Sequence, residues 1–314
     1  MGMRFSGNGQ VWSIVLAGGD GTRLTPFITR WLGKAKPKQY CAFVGTRSMF
    51  QHTLDRAEQL ASPDHTVTVI ARSHGEDALS QLGSRSSGTV LIQPANRDTA
   101  PGIFLPLTYI RSRAPRATVV VYPSDHFIYP EGPFVETVNQ AVQTAEQFPD
   151  RLVLLGISPS HLELQYGWIQ PSHELGHIGG CRIRAVRAFL EKPGIAEALA
   201  AQTAGALWNT FVMVGKVNTL WELGWRCLPD MMLLFEQLER AIGSSKEGTV
   251  LESIYQRMPA RNFSSHLLQR IPDRTAVIEV TRVLWSDWGQ PDRVIATLRQ
   301  IGKSPMFPAE LLDA

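Results

Sequence analysis

Cysteine, excess charge of one sign and long apolar runs are all scarce in this sequence. Its three cysteines, Cys41, Cys181 and Cys227, stand far apart, so neither a disulfide framework nor a CxxC metal site is available, and a reducing, cytoplasmic location is predicted. A formal net charge of +3 over 314 residues gives no indication of a nucleic-acid partner. No apolar run approaches the roughly 20 residues that span a bilayer, so no membrane partner is expected.

Short, β-rich apolar runs alternate with helical segments in the first half of the chain. Runs without polar alternation are typical of parallel strands that are buried on both faces. Strands are predicted at 11–17, 66–71, 89–93, 117–122 and 151–157, and helices at 48–60, 73–82, 99–113 and 132–148. The alternation predicts a Rossmann-like α/β fold, with a doubly wound, mostly parallel mixed sheet.

The pattern changes after residue 157, where the strands become longer. Strands are predicted at 166–171, 182–193, 206–215 and 275–280, a short helix at 194–202, helices over 217–258 and a C-terminal helix at 291–301. No Pro/Ser-rich linker or internal repeat interrupts the chain, which favours one continuous domain. We predict a domain over 11–302 between tails at 1–10 and 303–314, with a first half of about 11–125 and an elaborated second half of about 126–290.

A glycine-rich, basic stretch, LAGGDGTRLTPFITRWLGKAKPKQY (16–40), directly follows the first predicted strand. Glycines at this place allow backbone N–H groups to approach an anion without interference from a Cβ atom. The stretch contains no GxxxxGK[ST] string, and position 24 is Leu where a dinucleotide loop needs Gly, so neither of those phosphate loops is present. Taken alone, it is either a loop for a polyphosphate or a glycine turn followed by a solvated basic loop.

The strings LAGGDGTRLTP and KPKQY resemble the signature of the sugar-1-phosphate nucleotidyltransferases, which is a GGxGTRLxP loop followed by a lysine in a PK or KP context. The PKQ form is most like that of the mannose-1-phosphate guanylyltransferases, and the resemblance continues in order from about residue 12 to 298. It implies that Arg23 and Lys38 are catalytic cations that hold the β- and γ-phosphates, and it leaves Lys34 and Lys36 as loop charges. The nucleotide-binding residues implied in the loop are Leu16, Ala17, Gly18, Gly19, Gly21 and Thr22.

The string QPANRDTAPGI (93–103) is similar to the EPxxRNTAPAI element of the same family. It supplies polar side chains at the start of a predicted helix, which suits reading of a base or ribose and contact with an anion. The nucleotide-binding residues implied here are Gln93, Asn96, Arg97 and Thr99. Thr99 also suits the helix N-cap, which is a purely structural role. Gln93 stands where the family often has Glu, and Asp98 where it often has Asn, so the base preference stays open.

Two aspartates lie in strings that resemble the family's metal-binding elements. Asp125 belongs to VVVYPSDH (119–126), and Asp287 to LWSDWGQPDR (284–293). A hard cation such as Mg²⁺ takes oxygen ligands and typically only one or two protein carboxylates. The resemblance implies that both aspartates bind Mg²⁺, that Asp125 is catalytic, and that Ser124 contacts the nucleotide. Taken singly, each aspartate would better suit a turn or a helix cap, and it is their occurrence together in matched strings that favours a metal site.

Three further strings, YGWIQP (166–171), FLEKP (189–193) and LWNTFVMVG (207–215), resemble the family's sugar pocket. The implied sugar-binding residues are Gly167, Glu191 and Asn209, and Lys192 is implied to be catalytic and to reach the phosphates. A carboxylate and an amide can together satisfy the hydroxyl pairs of a hexose. Phe211 stands where the family usually has Gly, and Ser264 where many guanylyltransferases have an acid, so the hexose preference stays open.

The resemblance implies Mg²⁺-dependent transfer from GTP to mannose 1-phosphate, which forms GDP-mannose and pyrophosphate. It assigns nucleotide binding to the first half of the domain and sugar-phosphate binding to the second half. The expected partners are an NTP and a hexose 1-phosphate, and the sequence is compatible with a homodimer. Two alternatives stay open, namely another NTP and hexose pair, and a non-catalytic sugar-nucleotide sensor on the same fold.

The string HELGH (173–177) matches a zinc-protease pattern, but its neighbouring glycines and Pro171 predict a hairpin loop rather than the helix that zinc binding needs.

Overall fold

The computed structural model of the protein describes residues 10–83 and 88–311. The predicted tail 1–10 lies outside these residues apart from residue 10, as do residues 312–314 of the predicted tail 303–314. The strands of the described residues are β1 (Val11–Ala17), β2 (Thr66–Ala71), β3 (Thr89–Gln93), β4 (Thr118–Pro123), β5 (Phe127–Tyr129), β6 (Leu152–Ile157), β7 (Gly167–Ile178), β8 (Cys181–Glu191), β9 (Leu207–Lys216), β10 (Thr275–Val280) and β11 (Leu284–Ser286). The α-helices are α1 (Thr25–Leu32), α2 (Met49–Glu58), α3 (Gly75–Leu82), α4 (Thr99–Arg113), α5 (Glu131–Gln147), α6 (Ile195–Thr203), α7 (Val217–Cys227), α8 (Pro229–Ala241), α9 (Glu247–Arg257), α10 (Phe263–His266) and α11 (Pro291–Ile301).

Nine strands form one mixed sheet in the order β3-β2-β1-β4-β9-β6-β10-β8-β7. The first four are parallel to one another, and β9 joins β4 and β6 in antiparallel pairing. The parallel part confirms the predicted fold class. It also brings the carboxyl ends of β1, β3 and β4 to one edge, where ligands bind in open α/β sheets.

Successive side chains of a strand point to opposite faces of the sheet, so a fully apolar strand makes both faces apolar. Helices cover both faces here and remove them from water. On β1, Ile14 packs in one core cluster with α4, α7, α8 and α9, whereas Val15 packs in the other with α2, α3, α5 and α6. Both side chains are completely buried. The sheet is therefore doubly wound, as the alternation of strands and helices predicts.

A third cluster joins the basic loop region to the C-terminal helix. Phe27 of α1 packs with Leu298 of α11, and Phe43 packs edge-on against Trp288 with ring centroids 5.2 Å apart. Helix α1 occupies residues that the sequence analysis assigned to the basic loop, because Pro26 starts the helix and Gly33, at φ 73°, ends it. This cluster fixes the chain that directly follows Asp287, from Trp288 into α11.

The hairpin of β7 and β8 corrects one prediction. The string HELGH lies within β7 rather than in a loop, and the turn falls at Gly179 and Gly180, both at positive φ. Register shifts between Gln170 and Gly176 mark bulges that accommodate Pro171. Because β7 is extended, four residues separate the two histidines by about 13 Å along the strand, which does not suit a shared zinc ion.

A small second sheet pairs β5 with β11 in antiparallel register, with Ser286 opposite Phe127. Asp125 lies two residues before β5, and Asp287 directly follows β11. This pairing therefore brings two aspartates that are 162 positions apart in the sequence to the same place.

None of the helices in the described residues is long and apolar enough to cross a bilayer.

Candidate active site

The side chains of Gln39 and Tyr40 hold the backbone of the glycine loop that follows β1. Nε2 of Gln39 donates to the carbonyl oxygens of Ala17 (3.0 Å) and Gly19 (2.8 Å), and the Tyr40 hydroxyl donates to Ala17 (2.8 Å). In a trans peptide the N–H points opposite to the C=O, so the N–H groups of Gly18 and Asp20 point away from Gln39. The loop therefore presents backbone donors to the sheet edge, as an anion site requires.

Sequence reasoning named Lys38 but missed the supporting role of Gln39 and Tyr40. Both are almost completely buried, and both directly follow Lys38 in the string KPKQY. Their position next to Lys38 in this motif was the available signal for their supporting role. Gly21 at φ 60° passes so close to Lys38 that an added Cβ atom would lie 3.1 Å from the lysine Cβ, which explains the glycine at this position.

Lys38 connects the two aspartates. Its side chain is 5% exposed, and Nζ lies 3.0 Å from Oδ2 of Asp125 and 2.5 Å from the backbone oxygen of Asp287. Burial would raise the pKa of the Asp125 carboxyl, but the ammonium of Lys38 and the neighbouring His126 hold it below its ordinary value. Asp125 is therefore ionised at neutral pH.

Asp287 lies at the centre of the most connected polar cluster of the site. Oδ2 accepts from Arg23 (3.1 Å), and Oδ1 accepts from Arg293 (2.7 Å), from the hydroxyl of Tyr166 (2.9 Å) and from the backbone N–H of Gly289 (2.9 Å). Burial opposes ionisation, but the charges of Lys38 and Arg293 hold the pKa of Asp287 far below its usual range. The carboxylate is fixed in both position and charge.

Arg293, Tyr166 and Glu163 belong to this cluster and were not predicted. Arg293 donates to the Tyr166 hydroxyl (3.0 Å) and to Glu163, and its guanidinium carbon lies 4.9 Å from the centroid of the Tyr166 ring. The backbone oxygen of Tyr166 accepts from the N–H of Lys192 (3.2 Å). Tyr166 therefore links the aspartate cluster to the predicted phosphate-binding lysine, and its place beside Gly167 in YGWIQP was the available signal.

Gly289 makes room for the pair of Arg23 and Asp287. A Cβ atom on Gly289 would lie 2.5 Å from Oδ2 of Asp287 and 2.7 Å from Nη2 of Arg23, and both distances are shorter than real Cβ contacts. The preceding residue, Trp288, has φ 45°, and its ring stacks on Phe127 with centroids 4.4 Å apart. A positive φ is unfavourable for a residue that carries a side chain. The stacking of Trp288 on Phe127 therefore stabilises the backbone of this turn.

The remaining loop residues lie at the same edge of the sheet. Ser124 is completely buried, and both its hydroxyl (2.7 Å) and its N–H (3.1 Å) donate to the carbonyl oxygen of Leu16. Thr22 is exposed at the first position of a 3₁₀ turn that also contains Arg23. The described contacts of Ser124 thus join the ends of β1 and β4, and a role of Ser124 in nucleotide binding stays a prediction.

The segment after β3 is fastened to the chain around α10. Arg97 donates through Nε to the backbone oxygen of Tyr255 (3.1 Å), and the hydroxyl oxygen of Thr99 accepts from the N–H of Phe263 (2.8 Å). Asn96 instead reaches the glycine loop, where it donates to Asp20 (3.2 Å). Asn96 thus contacts the glycine loop, whereas Arg97 and Thr99 contact α9 and α10.

The cap of helix α4 differs from the prediction. Asp98, rather than Thr99, is the N-cap, and its carboxylate accepts from the N–H of Thr99 (2.6 Å) and from the side chain of Asn262 (3.1 Å). Asp98 has φ 69° and ψ −173°, a strained backbone region that residues other than glycine rarely adopt. The hydrogen bonds of its carboxylate hold this conformation in place.

The predicted sugar-binding residues lie on three neighbouring strands. Gly167 of β7 pairs with Glu191 of β8, and one step beyond the Trp168–Trp208 pair the antiparallel register places Gly167 opposite Asn209 of β9. A Cβ atom on Gly167 would lie 3.1 Å from Oε2 of Glu191, so the glycine leaves space for the carboxylate. The three predicted residues therefore form one row across the sheet.

Two departures from the family pattern border this row. Burial raises the pKa of Glu191, although the charge of Lys192 and a hydrogen bond with Ser264 favour its ionised form. Phe211 has φ 60°, where glycine is the natural residue, and its N–H donates to Oδ1 of Asn209 (3.2 Å). The backbone at Phe211 thus orients Asn209 with its amide oxygen engaged, and Ser264 supports Glu191.

A cavity of about 480 Å³ lies behind the small sheet of β5 and β11. Its wall includes Phe43, Met49, Phe127 and Trp288, and it includes none of the residues predicted for catalysis or binding. The predicted residues instead border the open edge of the large sheet. The packing of Trp288 and Phe127 separates the two regions.

Comparisons with known proteins identify the family of this chain. The family model described as nucleotidyl transferase matches residues 12–304. The chain is 29% identical to the xanthan biosynthesis protein XanB of Xanthomonas campestris pv. campestris, over 96% of this chain and 62% of that relative. It is 26% identical to a mannose-1-phosphate guanylyltransferase of Escherichia coli, over 88% of this chain and 59% of the relative.

A solved structure from Thermus thermophilus, described as mannose-1-phosphate geranyltransferase, superposes with a TM-score of 0.76 at 26% identity and covers 91% of this chain and 79% of that one. The chain spans about three-fifths of the length of the two curated relatives. The family match extends from the second residue of β1 to beyond the end of α11. The chain therefore belongs to the nucleotidyl transferase family.

Proposed function

We propose that the protein transfers a guanylyl group from GTP to α-D-mannose 1-phosphate in a Mg²⁺-dependent reaction that releases pyrophosphate and forms GDP-mannose. The observation that carries the proposal is the convergence of two cations, Arg23 and Lys38, on two aspartates, Asp125 and Asp287. The nucleotide and the hexose follow the names of relatives such as the Escherichia coli mannose-1-phosphate guanylyltransferase.

In this reaction a phosphate oxygen of the sugar phosphate attacks the α-phosphorus of the nucleotide. A new P–O bond forms, and the bond between the α-phosphorus and the oxygen that bridges to the β-phosphorus breaks, with pyrophosphate as the leaving group. A phosphate monoester has its second pKa near 6, so the nucleophile is already ionised at neutral pH and needs no general base. The chain must position the groups in line and neutralise their charge.

Arg23 and Lys38 divide this task according to their mobility. The side chain of Arg23 is 50% exposed and contacts Asp287 through one nitrogen, so it is free to turn toward a triphosphate in the groove. Lys38 is buried and held by both aspartates, so it acts as a fixed positive charge. We assign the β- and γ-phosphates to this pair and to the loop N–H groups, and the sugar phosphate to Lys192.

The donor chemistry of Asp125 and Asp287 fits a magnesium ion. Both residues offer oxygen donors beside the same ammonium group, Nζ of Lys38, so they already surround a positive charge. No group of three His, Cys, Asp or Glu side chains suited to a metal occurs among the residues described, which agrees with an ion that takes its other ligands from water and phosphates. When bound, Mg²⁺ would neutralise phosphate charge and orient the phosphoryl oxygens. Arg293 and Tyr166 hold Asp287 in place for this contact.

The activity is tested by Mg²⁺-dependent release of pyrophosphate over a matrix of four NTPs and several hexose 1-phosphates. Release with GTP and mannose 1-phosphate is expected to exceed that of every other pair by at least about ten-fold, since a pocket built to hydrogen-bond its ligand discriminates strongly. A preparation of Asp125→Asn serves as the control for contaminating enzymes and is expected to be nearly inactive. Absence of release with every pair would refute the enzyme and favour a sugar-nucleotide sensor.

A second candidate is the same reaction with a hexose other than mannose, and Phe211 is the observation that favours it. Its ring is partly buried and lies edge-on to Phe263 with centroids 6.4 Å apart, next to Ser264, which contacts Glu191. Where the family usually has Gly, this ring occupies space at the sugar end of the groove. A bulky wall here discriminates among hexoses by shape.

We expect Phe211→Gly to relax the hexose preference. Glycine adopts φ 60° without strain, so the variant keeps the backbone that orients Asn209 while the ring is removed. The ratio of kcat/KM values between the best and second-best hexose 1-phosphate should fall by about ten-fold, the size of a single steric contact in a pocket. An unchanged ratio in a folded variant would exclude Phe211 as a specificity residue, and Phe211→Ala tests whether loss of the ring alone is sufficient.

A further inference from the structure

Glu163 lies in the loop between β6 and β7, where its side chain is almost completely removed from water. The residue is 8% exposed, Oε1 accepts from the backbone N–H of Gln165 (2.7 Å), and its backbone oxygen accepts from the indole N–H of Trp168 (2.8 Å). A carboxylate buried to this extent needs a positive partner. Arg293 is that partner, since its Nη2 donates to Oε2 of Glu163.

Arg293 joins this carboxylate to Asp287. Its other terminal nitrogen, Nη1, lies 2.7 Å from Oδ1 of Asp287. Burial would lower the pKa of Arg293, but the carboxylates of Asp287 and Glu163 raise it above its ordinary value. The guanidinium is therefore charged and is shared between two carboxylates, one of which is a proposed metal ligand.

The total charge of the cluster depends on Glu163. The charged groups that these contacts join, in the part of the chain that the structure describes, are Arg23, Lys38, Arg293, Asp125, Asp287 and Glu163. With the neighbouring His126 and His161 counted as neutral, three cations balance three carboxylates. Without Glu163 the cluster would carry one net positive charge, which repels a divalent cation.

Glu163 differs from the two aspartates in how it can act on a metal ion. Both of its oxygens are engaged, one by the N–H of Gln165 and the other by Arg293. It therefore acts on the ion through its charge and through the arginine that it holds against Asp287. Residues that support a metal ligand in this way affect metal affinity although they do not touch the metal.

We propose that Glu163 is a positioning residue of the metal site: it holds Arg293 against Asp287 and balances the charge of that arginine, so that a carboxylate surrounded by cations can still bind Mg²⁺. The proposal rests on the proposed function, since it takes Asp125 and Asp287 as the ligands of the ion. Loss of the Glu163 charge has opposite consequences for the two kinds of ligand, because it disfavours a cation and favours a polyphosphate.

The test is Glu163→Gln, which keeps the shape and one acceptor oxygen and removes the charge. Mn²⁺, which prefers the same oxygen ligands as Mg²⁺, is titrated in the absence of substrates, and the free ion is measured by electron paramagnetic resonance. The dissociation constant for Mn²⁺ is expected to rise by about ten-fold. Binding of inorganic triphosphate, measured by calorimetry in metal-free buffer, should become about three-fold tighter, since the site gains one positive charge that is partly screened by water and salt.

Glu163→Asp separates the charge from the shape. It keeps the carboxylate and shortens the side chain by one methylene, so its affinity for Mn²⁺ should be closer to the wild-type value than that of Glu163→Gln. The matched control is Glu239→Gln, which removes the same charge from an ion pair with Arg111 that joins α8 to α4. This control should leave both affinities unchanged, and thermal unfolding reports whether each variant retains the fold.

Four results overturn the inference. A wild-type protein that does not bind Mn²⁺ is one, and a Glu163→Gln variant with the wild-type affinity for Mn²⁺ is another. The third is weaker binding of both Mn²⁺ and triphosphate, because a disordered site loses both ligands, whereas a change of charge acts on them in opposite directions. The fourth is an equal effect of Glu239→Gln, which would make overall charge the cause.

Failure of the proposed function has a different signature, which is the absence of pyrophosphate release with every substrate pair. The two binding titrations need no turnover and no particular base or hexose. They therefore decide the role of Glu163 whichever substrates the protein uses.

Discussion

Replacing Lys38 with methionine is expected to lower kcat/KM for pyrophosphate release by on the order of 10²- to 10³-fold. Methionine keeps the apolar stem that fills the buried site and removes only the ammonium, which lies 3.0 Å from Asp125 and 2.5 Å from the backbone of Asp287. Without this charge the two aspartates repel each other, and a fixed cation is lost from the phosphate site.

The control for this prediction is Lys34→Met. Lys34 lies in the same basic stretch but is exposed, and it should retain near-wild-type rates. Rates are compared at saturating and limiting NTP, and the double variant Lys38→Met/Asp125→Asn shows whether the loss comes from the unpaired carboxylate. Equal effects of Lys34→Met and Lys38→Met would mean that the stretch acts only through its total charge, contrary to the assigned role of Lys38.

Gly289→Ala is expected to lower turnover by about 10²-fold, the loss that follows from displacement of reacting groups by about 1 Å. The added methyl would lie 2.5 Å from the Asp287 carboxylate and 2.7 Å from the Arg23 guanidinium, so at least one of them must move. Asp287 is also held by Arg293 and Tyr166, so we expect Arg23 to be displaced and Asp287 to shift slightly.

The readout that separates this effect from a general loss of stability is the Mg²⁺ concentration that gives half-maximal rate, which should rise because Asp287 has shifted. Gly248→Ala is the matched control, since nothing lies within 4 Å of the Cβ position at Gly248 in α9. A Gly289→Ala enzyme with normal turnover and normal Mg²⁺ dependence would falsify the assignment of the Arg23–Asp287 pair to the site.

Much of the fold was predictable because hydrophobic pattern and local chemistry determine it. The runs at β1, β2, β3 and β4 read as buried parallel strands, and the structure pairs them as predicted. The sequence analysis missed α1, a short helix with one basic residue, Arg30, that lies between the glycine turn and the lysines of the basic stretch. It also took HELGH for a loop, because a bulged strand that contains Pro and Gly has no regular pattern.

The candidate site was predictable only in part. Motifs identified Arg23, Lys38, Asp125 and Asp287, because each lies in a recognisable string. Arg293 ends the string LWSDWGQPDR but was given no role there, and its contact with Glu163 joins residues 130 positions apart. Contacts of this kind depend on tertiary packing, so a pattern in one sequence cannot predict them.

The sequence by itself determined the positions of the buried parallel strands, the glycine loop and the residue types that can neutralise phosphate charge, because these depend on local spacing and side-chain chemistry. Tertiary structure alone decided which polar groups meet. Pairing of β5 with β11 brings Asp125 and Asp287 around the ammonium of Lys38, and packing of α9 brings Tyr255 within hydrogen-bond distance of Gln93. The physical reason is that hydrogen bonds and ion pairs act over a few ångströms, and only folding brings residues so far apart in sequence within that range.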